Sequence, residues 1–552
     1  MSGARPPERA PERAAPDETA PDGPARGYAA RSLAWIDATA ARWSDWLFSG
    51  RAFAAAILSY CLFHALLRIA LLPGGSNDDS EQLYHSQSLA LGYDANNPPL
   101  VTWLVIGMQS LVGVSLASVL LTKFALLALF FLLLYAAARQ ATADECYAVA
   151  AALTPLALYH VGWDALRHYS HSILLILACA ATLLLVLRLA RSRALVWYVL
   201  LGLAVGLGLQ AKYNFALFAL ALFLAALGDP LLRGRLLDRR ALIIAFLALA
   251  CVAPNLVWLI DNPAAVAGEI GSRLSSNADA DWLEARALGL WGLVYGLFQF
   301  LMPLLVLLVA LFPSAFLAAP APLVEPPVVE RVRRAEALLA RFAATLLGLF
   351  ALLVVLGGLA RLENHVFFVF ILVPIWLFAR VSLAARGPAG LHRFGVVVLA
   401  LCLLASAAAV FRIFQDPLEA GRKAYFNLPY ADFANGLREA GFEEGTIYLH
   451  DQPVTLSGNL RARLPDARIL SSRHAEYRPP ERAQRGQCLV VWLVGRHGPA
   501  ERPPSADHLA AFGMTPSEAY EQGVVTAPLV HGWGRTASLG YRLYDGTTQA
   551  CR

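Results

Sequence analysis

Residues 172–190 read SILLILACAATLLLVLRLA, an apolar run whose single charge, Arg188, sits near its end. Its length is close to the roughly 20 residues an α-helix needs to cross a bilayer, and strands rarely exceed about 10 residues. Similar runs recur near 52–72, 116–138, 145–160, 194–210, 212–228, 241–260, 288–312, 342–360, 365–384 and 394–413, so eleven spans are expected. Composition agrees. Of 552 residues, 58% are hydrophobic and 15% charged, with mean hydropathy +0.53. Average soluble chains are about 25% charged. A large soluble enzyme, a disordered chain and a fibrous protein are excluded, and the expected fold class is an all-α polytopic membrane protein.

The basic residues set the expected orientation. Arg139, Arg188, Arg191, Arg193, Arg233, Arg235, Arg239, Arg240, Arg331, Arg333, Arg334, Arg386 and Arg393 cluster in alternate loops, which the positive-inside rule places in the cytoplasm. Between Ile69 and Thr122 there is no Lys or Arg. Residues 1–45 are rich in Ala, Pro and Arg, with a repeat of Pro7-Glu8-Arg9 at Pro11-Glu12-Arg13. They read as a disordered cytoplasmic tail. The first apolar run, near Arg51, is too late and too long for a signal peptide. Residues 46–414 then form the transmembrane domain. The segment 98–113 is apolar but short, and counting it as a span would turn the Arg clusters outward. It reads as an interfacial or re-entrant helix, with Asn97 as N-cap, Pro99 in the first turn and Trp103 at the interface.

An odd number of spans puts residues 415–552 outside. This part is polar, with strand signals at 446–449, 468–470 and 488–494 and a short helix at 456–464. A small extracytoplasmic α/β domain is expected. Five of the seven cysteines lie in or beside apolar segments as small hydrophobes. Cys488 and Cys551 lie in the outer domain and could pair there.

With this topology the informative polar residues gather on the outer face. The first outer loop carries Asn77-Asp78-Asp79-Ser80-Glu81-Gln82, three acids in four positions directly after a membrane helix. Three readings fit: a solvated loop cap, a carboxylate acting as general base for a hydroxyl, or a pair binding a hard divalent cation. The second outer loop holds Asp164, His168 and His171; two His three apart are ligands, proton carriers or plain polar surface. Lysine is nearly absent, at positions 123, 212 and 423 only, so a Lys within an apolar stretch stands out. Lys212-Tyr213 ends the stretch Gly206 to Ala211, where a Lys either snorkels to the interface or binds an anion. Arg361-Leu362-Glu363-Asn364-His365 is the fourth outer cluster. Acids to activate an acceptor and cations for an anionic leaving group thus face one outer cavity near the headgroups. Transfer from a phosphate-linked lipid needs both. No Walker loop, nucleophile elbow or dinucleotide fingerprint is present, and no nucleic-acid partner is expected.

The string Asp78-Asp79-Ser80-Glu81-Gln82, followed by Ser86-Gln87-Ser88-Leu89-Ala90-Leu91-Gly92-Tyr93 and by Asn97-Pro98-Pro99-Leu100 with Trp103, resembles the first outer loop of family-39-like membrane glycosyltransferases. These are GT-C fold enzymes and include protein O-mannosyltransferases, lipid A aminoarabinose transferases and rhizobial lipopolysaccharide galacturonosyltransferases. Gly206 to Tyr213 resembles their glycine-rich segment ending in Lys-Tyr, and the likeness covers roughly residues 50–415. It implies a bacterial inner-membrane enzyme with a polyprenyl-phosphate sugar donor. The implied acceptor is lipid A or lipopolysaccharide, another glycan, or protein, on the periplasmic face. The implied reaction is inverting, with Asp78 as general base beside Asp79, where many relatives have Glu. Lys212 is implied to contact the lipid phosphate, with Tyr213, Arg361 and His365 as further donor-site candidates and Glu81, Asp164, His168 and His171 as acceptor-side or supporting groups. No organic cofactor is implied, and a divalent metal stays an open option. Two departures stand out. Ser170-His171-Ser172 occupies a place where many relatives carry an acid, and Glu363-Asn364-His365 precedes Pro374 where relatives often have Arg-Tyr or Arg-Trp. The rival readings are a flippase for lipid-linked sugars and a non-catalytic envelope assembly factor.

Overall fold

The computed structural model describes residues 48–275, 282–313, 325–357, 364–384, 389–415, 424–449, 454–474, 476–483, 486–494, 504–510 and 519–544. The expected N-terminal tail lies outside them. Among the described residues eight helices are long and apolar enough to cross a membrane: Gly50–Leu71, Leu116–Ala141, His171–Arg191, Ala241–Asp261, Trp282–Leu311, Pro326–Gly357, Val366–Ala384 and Ala389–Phe414. Their Leu- and Ala-rich sequences have high helix propensity. Ser49 and Ser115 begin the first two by accepting the amide hydrogens of Ala52 and Ser118. Leu116–Ala141 is central and packs on Gly50–Leu71 and His171–Arg191 through Leu120, Phe124, Leu127, Phe131 and Leu134. Ala241–Asp261 instead exposes Leu242, Phe246, Leu249, Val257 and Ile260. So large an apolar surface is stable against lipid, not water.

The eleven expected spans do not all run as straight helices. The 145–160 run breaks near Pro155 and bends by 72° into His160–Arg167. The 212–228 run becomes Phe215–Leu227 and turns by 119° into Pro230–Leu236. Asp229 caps that second helix by accepting from Leu231 and Leu232, and Pro230 occupies its first turn. Counting each bent pair once raises the eight to ten. The 194–210 run is the 15-residue helix Leu195–Leu209, about 22 Å long against a hydrocarbon core of about 30 Å. Arg331, Arg333 and Arg334 lie in the first turns of Pro326–Gly357 and not in a loop.

The short helix is present as Leu100–Val112. Its cap differs from the expectation: Pro99 is the N-cap with no side-chain bond, while the Asn97 amide donates to Asp94 at 2.8 Å. The indole N–H of Trp103 donates to the Ala90 carbonyl at 2.8 Å, and its partly buried ring packs on the core of the C-terminal domain.

That domain is built on a five-stranded mixed sheet: β1 (Gly445–Leu449), β2 (Arg468–Ser471), β3 (Gln487–Val494), β4 (Ala519–Pro528) and β5 (Thr536–Tyr544), in the order β2-β1-β3-β5-β4. β1 runs parallel to β2 and β3, with Ile447 opposite both Ile469 and Leu489. β5 is antiparallel to β3 and β4, with Tyr541 opposite Val491. The expected strands and the helix Val454–Arg461 are present; β4 and β5 are additions. Cys488 is disulfide-bonded, whereas Cys61, Cys146, Cys179, Cys251 and Cys402 are free. Cys551, its expected partner, lies outside the described residues.

One face of the sheet buries Ile447, Leu449, Ile469, Leu489, Val491, Leu539 and Leu543 together with Tyr84 and Tyr93 from the first loop. The acidic segment is thus part of this domain's core. It forms the helix Asn77–His85, which lies along Val454–Arg461. Gly458 donates to Ser80 Oγ at 3.0 Å, and Ser80 Oγ donates to the Thr455 carbonyl at 2.9 Å. Asn459 brackets Gly75, accepting from its amide at 2.8 Å and donating to its carbonyl at 3.3 Å. Arg461 donates to Ser86 Oγ and O and to the Leu83 carbonyl. A Cβ at Gly458 would land on the Ser80 carbonyl, so only glycine permits this approach. Gly458→Val is therefore expected to destabilise the protein by about 1–3 kcal/mol, read as a lower melting temperature in detergent. An unchanged melting temperature would disprove the tight interlock.

Candidate active site

Helix Asn77–His85 starts with a reciprocal cap. Asp79 accepts from the Ser76 amide (2.9 Å) and hydroxyl (2.7 Å), and the Asp79 amide donates to Ser76 Oγ (3.3 Å). This capping box sets the first turn. The same carboxylate, fully buried, meets Arg68 Nη2 at 2.8 Å and Lys123 Nζ at 3.6 Å. Burial alone would push the Asp79 carboxyl up, but Lys123, Arg68 and the two Ser76 bonds hold it well below the ordinary aspartate value. Asp79 stays ionised and ties the first turn of this helix to Arg68 and Lys123.

Asp78, one residue earlier, differs. It is half-buried and makes no ion pair among the described residues. Its carboxylate accepts the Ser170 amide hydrogen. Burial holds Asp78 above the ordinary value; Lys123 pulls it down, Asp79 pushes it up and Lys212 pulls it down again. A partly reachable carboxylate of raised basicity suits proton abstraction from a hydroxyl. The Ser170 amide is presented by a strained residue: Tyr169 has φ 57°, in the left-handed region, while its ring packs edge-on to Phe368 at 5.3 Å. For a bulky side chain that backbone costs about 1–2 kcal/mol, and such strain gathers at functional sites.

The other expected residues divide. Lys212 is half-buried, donates to Ser172 Oγ at 3.2 Å and lies within electrostatic reach of Asp78 and Glu81. Tyr213 donates to Asn255 Oδ1 at 3.1 Å, and Asn255 donates to the Leu91 carbonyl at 3.3 Å. Gly92 lies so close to Trp258 that a Cβ would strike the indole. The loop after the acidic helix is thereby held against Ala241–Asp261. His171 has both ring nitrogens engaged. Nδ1 lies 3.3 Å from the Ala211 carbonyl, which fixes it as the protonated nitrogen, and Nε2 accepts from Gln82 at 3.1 Å. Thr102 donates to Gln82 Oε1 at 2.7 Å, closing a satisfied chain. Asp164 is paired with His160 at 3.1 Å. His168 is half-buried beside Phe426, its pKa pushed down to about 4 by burial, Lys123 and Arg167, with Asp79 opposing. Arg361 lies outside the described residues; His365 sits in the 3-10 turn Asn364–Phe370.

Residues not singled out from the sequence complete the site. Arg68 and Lys123 hold Asp79 from two membrane helices. Lys123 carried a signal, a rare lysine inside an apolar run; Arg68 looked like an ordinary helix-end basic residue. His85 and Asp94 converge on Glu81, and one ligand atom from each lies within 4.8 Å of the others. Burial, Asp94 and Asp78 raise Glu81 well above the ordinary value, Lys212 opposing. The spacing of Glu81 and His85, four apart, was the available clue. Arg68 and Arg167 also line, with Arg412 and Phe426, a cavity of about 50 Å³ between Gly50–Leu71 and Ala389–Gln415.

Residues 96–258 match the family described as dolichyl-phosphate-mannose-protein mannosyltransferase. The chain is 28% identical over 492 residues to the lipopolysaccharide core galacturonosyltransferase RgtB of Rhizobium johnstonii, covering 89% of this chain and 95% of that one. It is 28% identical over 495 residues to RgtA of the same organism, covering 88% and 95%. Its fold is shared with ArnT from Cupriavidus metallidurans, solved bound to undecaprenyl phosphate, at a TM-score of 0.55 and 14% identity over 91% of this chain and all of that one. The apo form of ArnT gives a TM-score of 0.54 at 13% identity, covering 91% of this chain and 99% of that one. Together with its membrane-spanning helices and small sheet domain, these likenesses mark the chain as a membrane glycosyltransferase that is similar in sequence to the mannosyltransferase family and to RgtA and RgtB, with a fold like that of ArnT.

Proposed function

We propose that the protein moves a sugar from a polyprenyl-phosphate donor to lipopolysaccharide on the periplasmic face of the bacterial inner membrane, with inversion and with Asp78 as general base. One observation carries the reading: of two adjacent carboxylates, Asp79 is consumed by Arg68, Lys123 and Ser76, while Asp78 is half-buried and free of ion pairs among the described residues. In the reaction, the acceptor oxygen attacks the anomeric carbon as its proton passes to Asp78. The bond from that carbon to the phosphate oxygen breaks, and its electron pair leaves with polyprenyl phosphate. A single base facing a single displacement gives inversion. Lys212 stabilises the charge growing on the phosphate. The likeness to RgtA and RgtB, lipopolysaccharide core galacturonosyltransferases, supports the lipopolysaccharide core as acceptor and makes galacturonic acid the sugar to test first. The lipid in the ArnT structure supports a polyprenyl carrier.

The Arg clusters support a cytoplasmic N-terminus and a periplasmic sheet domain. A reporter active only outside the cytoplasm, fused after Arg552, is expected to be active, and a silent but expressed fusion would reverse the orientation. Asp78→Asn is expected to lower transfer from a labelled lipid-linked sugar by about 10²–10⁴-fold with an unchanged melting temperature. Asp79→Asn is expected to act through stability, losing about 3–5 kcal/mol as Arg68 and Lys123 are left buried without their counter-charge. Full transfer by the Asp78 variant would overturn the base assignment. Lys212→Met is expected to cost about 10²–10³-fold in kcat with little effect on melting; wild-type kcat would remove it from the phosphate site.

A further inference from the structure

We propose that a cavity at the end of the helix bundle away from Asp78 binds one phosphate-bearing anion through Arg191, Arg331 and Gln140. The cavity measures about 320 Å³, within the usual span of ligand pockets. It lies where the ends of Leu116–Ala141 and His171–Arg191 meet the start of Pro326–Gly357. Leu187 on its wall is roughly 25 Å of helix from Ser170, whose amide meets Asp78. The cavity is therefore separate from the candidate active site and faces the other side of the membrane.

The guanidiniums of Arg191, Arg331 and Arg334 line it, and their counter-charges are unevenly shared. Arg334 lies 3.7 Å from Asp229 and 3.1 Å from Glu330. Arg191 and Arg331 make no ion pair among the described residues. Arg331 also feels the charges of Arg191 and Arg139. Like charges gathered without an acid between them repel until an anion enters. Arginines at helix ends also serve orientation, but in that role they are solvated. Arg331 is not simply solvated: its Nη2 is fixed on the Thr142 carbonyl at 2.9 Å, and its Nε is buried without a partner. Gln140 Oε1, on the same cavity, is buried without a partner too. Buried polar atoms are almost always satisfied. Turning over the Gln140 amide puts an N–H in place of that oxygen, and guanidinium forks match phosphate oxygens. Pro327 brings the positive end of a long helix to the same wall. Leu187, Leu232 and Leu338 add an apolar surface, which suits the glycerol end of a phospholipid in that leaflet. A soluble phosphate ester shares the same headgroup chemistry.

The test uses the full-length protein in a neutral detergent, stripped of lipid and phosphate. Melting temperature and native mass spectrometry are read with phosphatidylglycerol, phosphatidylcholine and inorganic phosphate. Phosphatidylglycerol or inorganic phosphate is expected to bind saturably, one per chain, and to raise the melting temperature; zwitterionic phosphatidylcholine is not. Whichever of the two acts identifies the carrier. Arg191→Gln and Arg331→Gln are each expected to weaken binding by about tenfold or more. Arg191 is exposed at its helix end, so its variant is expected to melt like the wild type without ligand and keeps the test decisive if Arg331→Gln folds poorly. Arg333→Gln, exposed on the same helix as Arg331 and outside the cavity, is expected to bind like the wild type. Absence of saturable binding by both anions, unchanged binding in Arg191→Gln, or equal weakening by Arg333→Gln (diffuse surface charge only) would overturn the proposal.

Discussion

A buried carboxylate organises the molecule. Asp79 is fully removed from solvent, and a charge there is tolerated only when counter-charges and hydrogen-bond donors surround it. Arg68 supplies one from the end of Gly50–Leu71, Lys123 a second from the middle of Leu116–Ala141, and Ser76 caps the turn. Two membrane helices are thereby fastened to the first turn of Asn77–His85. The aspartate that precedes this anchor can point in few directions. That is how Asp78 comes to meet the Ser170 amide and to lie in the fields of Lys123 and Lys212.

The opposite side of the same helix is fastened by different means. Gly458 and Ser80 bring two helices together at a distance that only a missing side chain allows, and Asn459 and Arg461 satisfy the backbone at both ends of the contact. Tyr84 and Tyr93 complete the hydrophobic core of the sheet domain. The C-terminal domain is therefore a structural wall of the candidate active site. Its pairing of small residues for close approach with buried polar groups for register is the same division of labour seen between membrane helices.

Much of this was legible in the sequence. Apolar runs of nearly 20 residues marked the membrane helices because lipid obliges every backbone group to bond within its own segment. The continuous run at 488–494 marked the middle strand of the sheet, buried on both faces. The acids at 78, 79 and 81 marked the segment that carries the candidate base, read as a loop and found as the helix Asn77–His85. What stayed hidden was division between neighbours of the same type. Asp78 and Asp79 are chemically alike, and only the positions of Arg68 and Lys123 separate an anchor from a carboxylate without an ion pair among the described residues. His171 was open as a ligand, a proton carrier or plain polar surface until Gln82 and Ala211 were found to occupy both its nitrogens, whereas His85, which drew no notice, has neither nitrogen hydrogen-bonded among the described residues. β4 and β5 were missed because β4 is mostly exposed, and Gly540 and Arg542 interrupt the apolar residues of the largely buried β5, so neither carries a continuous apolar signal.

The sequence by itself determined the class of protein: local composition sets the free energy of each segment in lipid or water, so span, loop and polar C-terminal domain can be read one stretch at a time. Tertiary structure alone decided which polar residues act together. Arg68, Asp79 and Lys123 lie up to 55 positions apart, Ser80 and Gly458 are separated by 378, and Glu81 meets Asp94 only because a loop folds back. Electrostatic and hydrogen-bond energies depend on distance through space, a quantity that the order of residues along the chain does not contain.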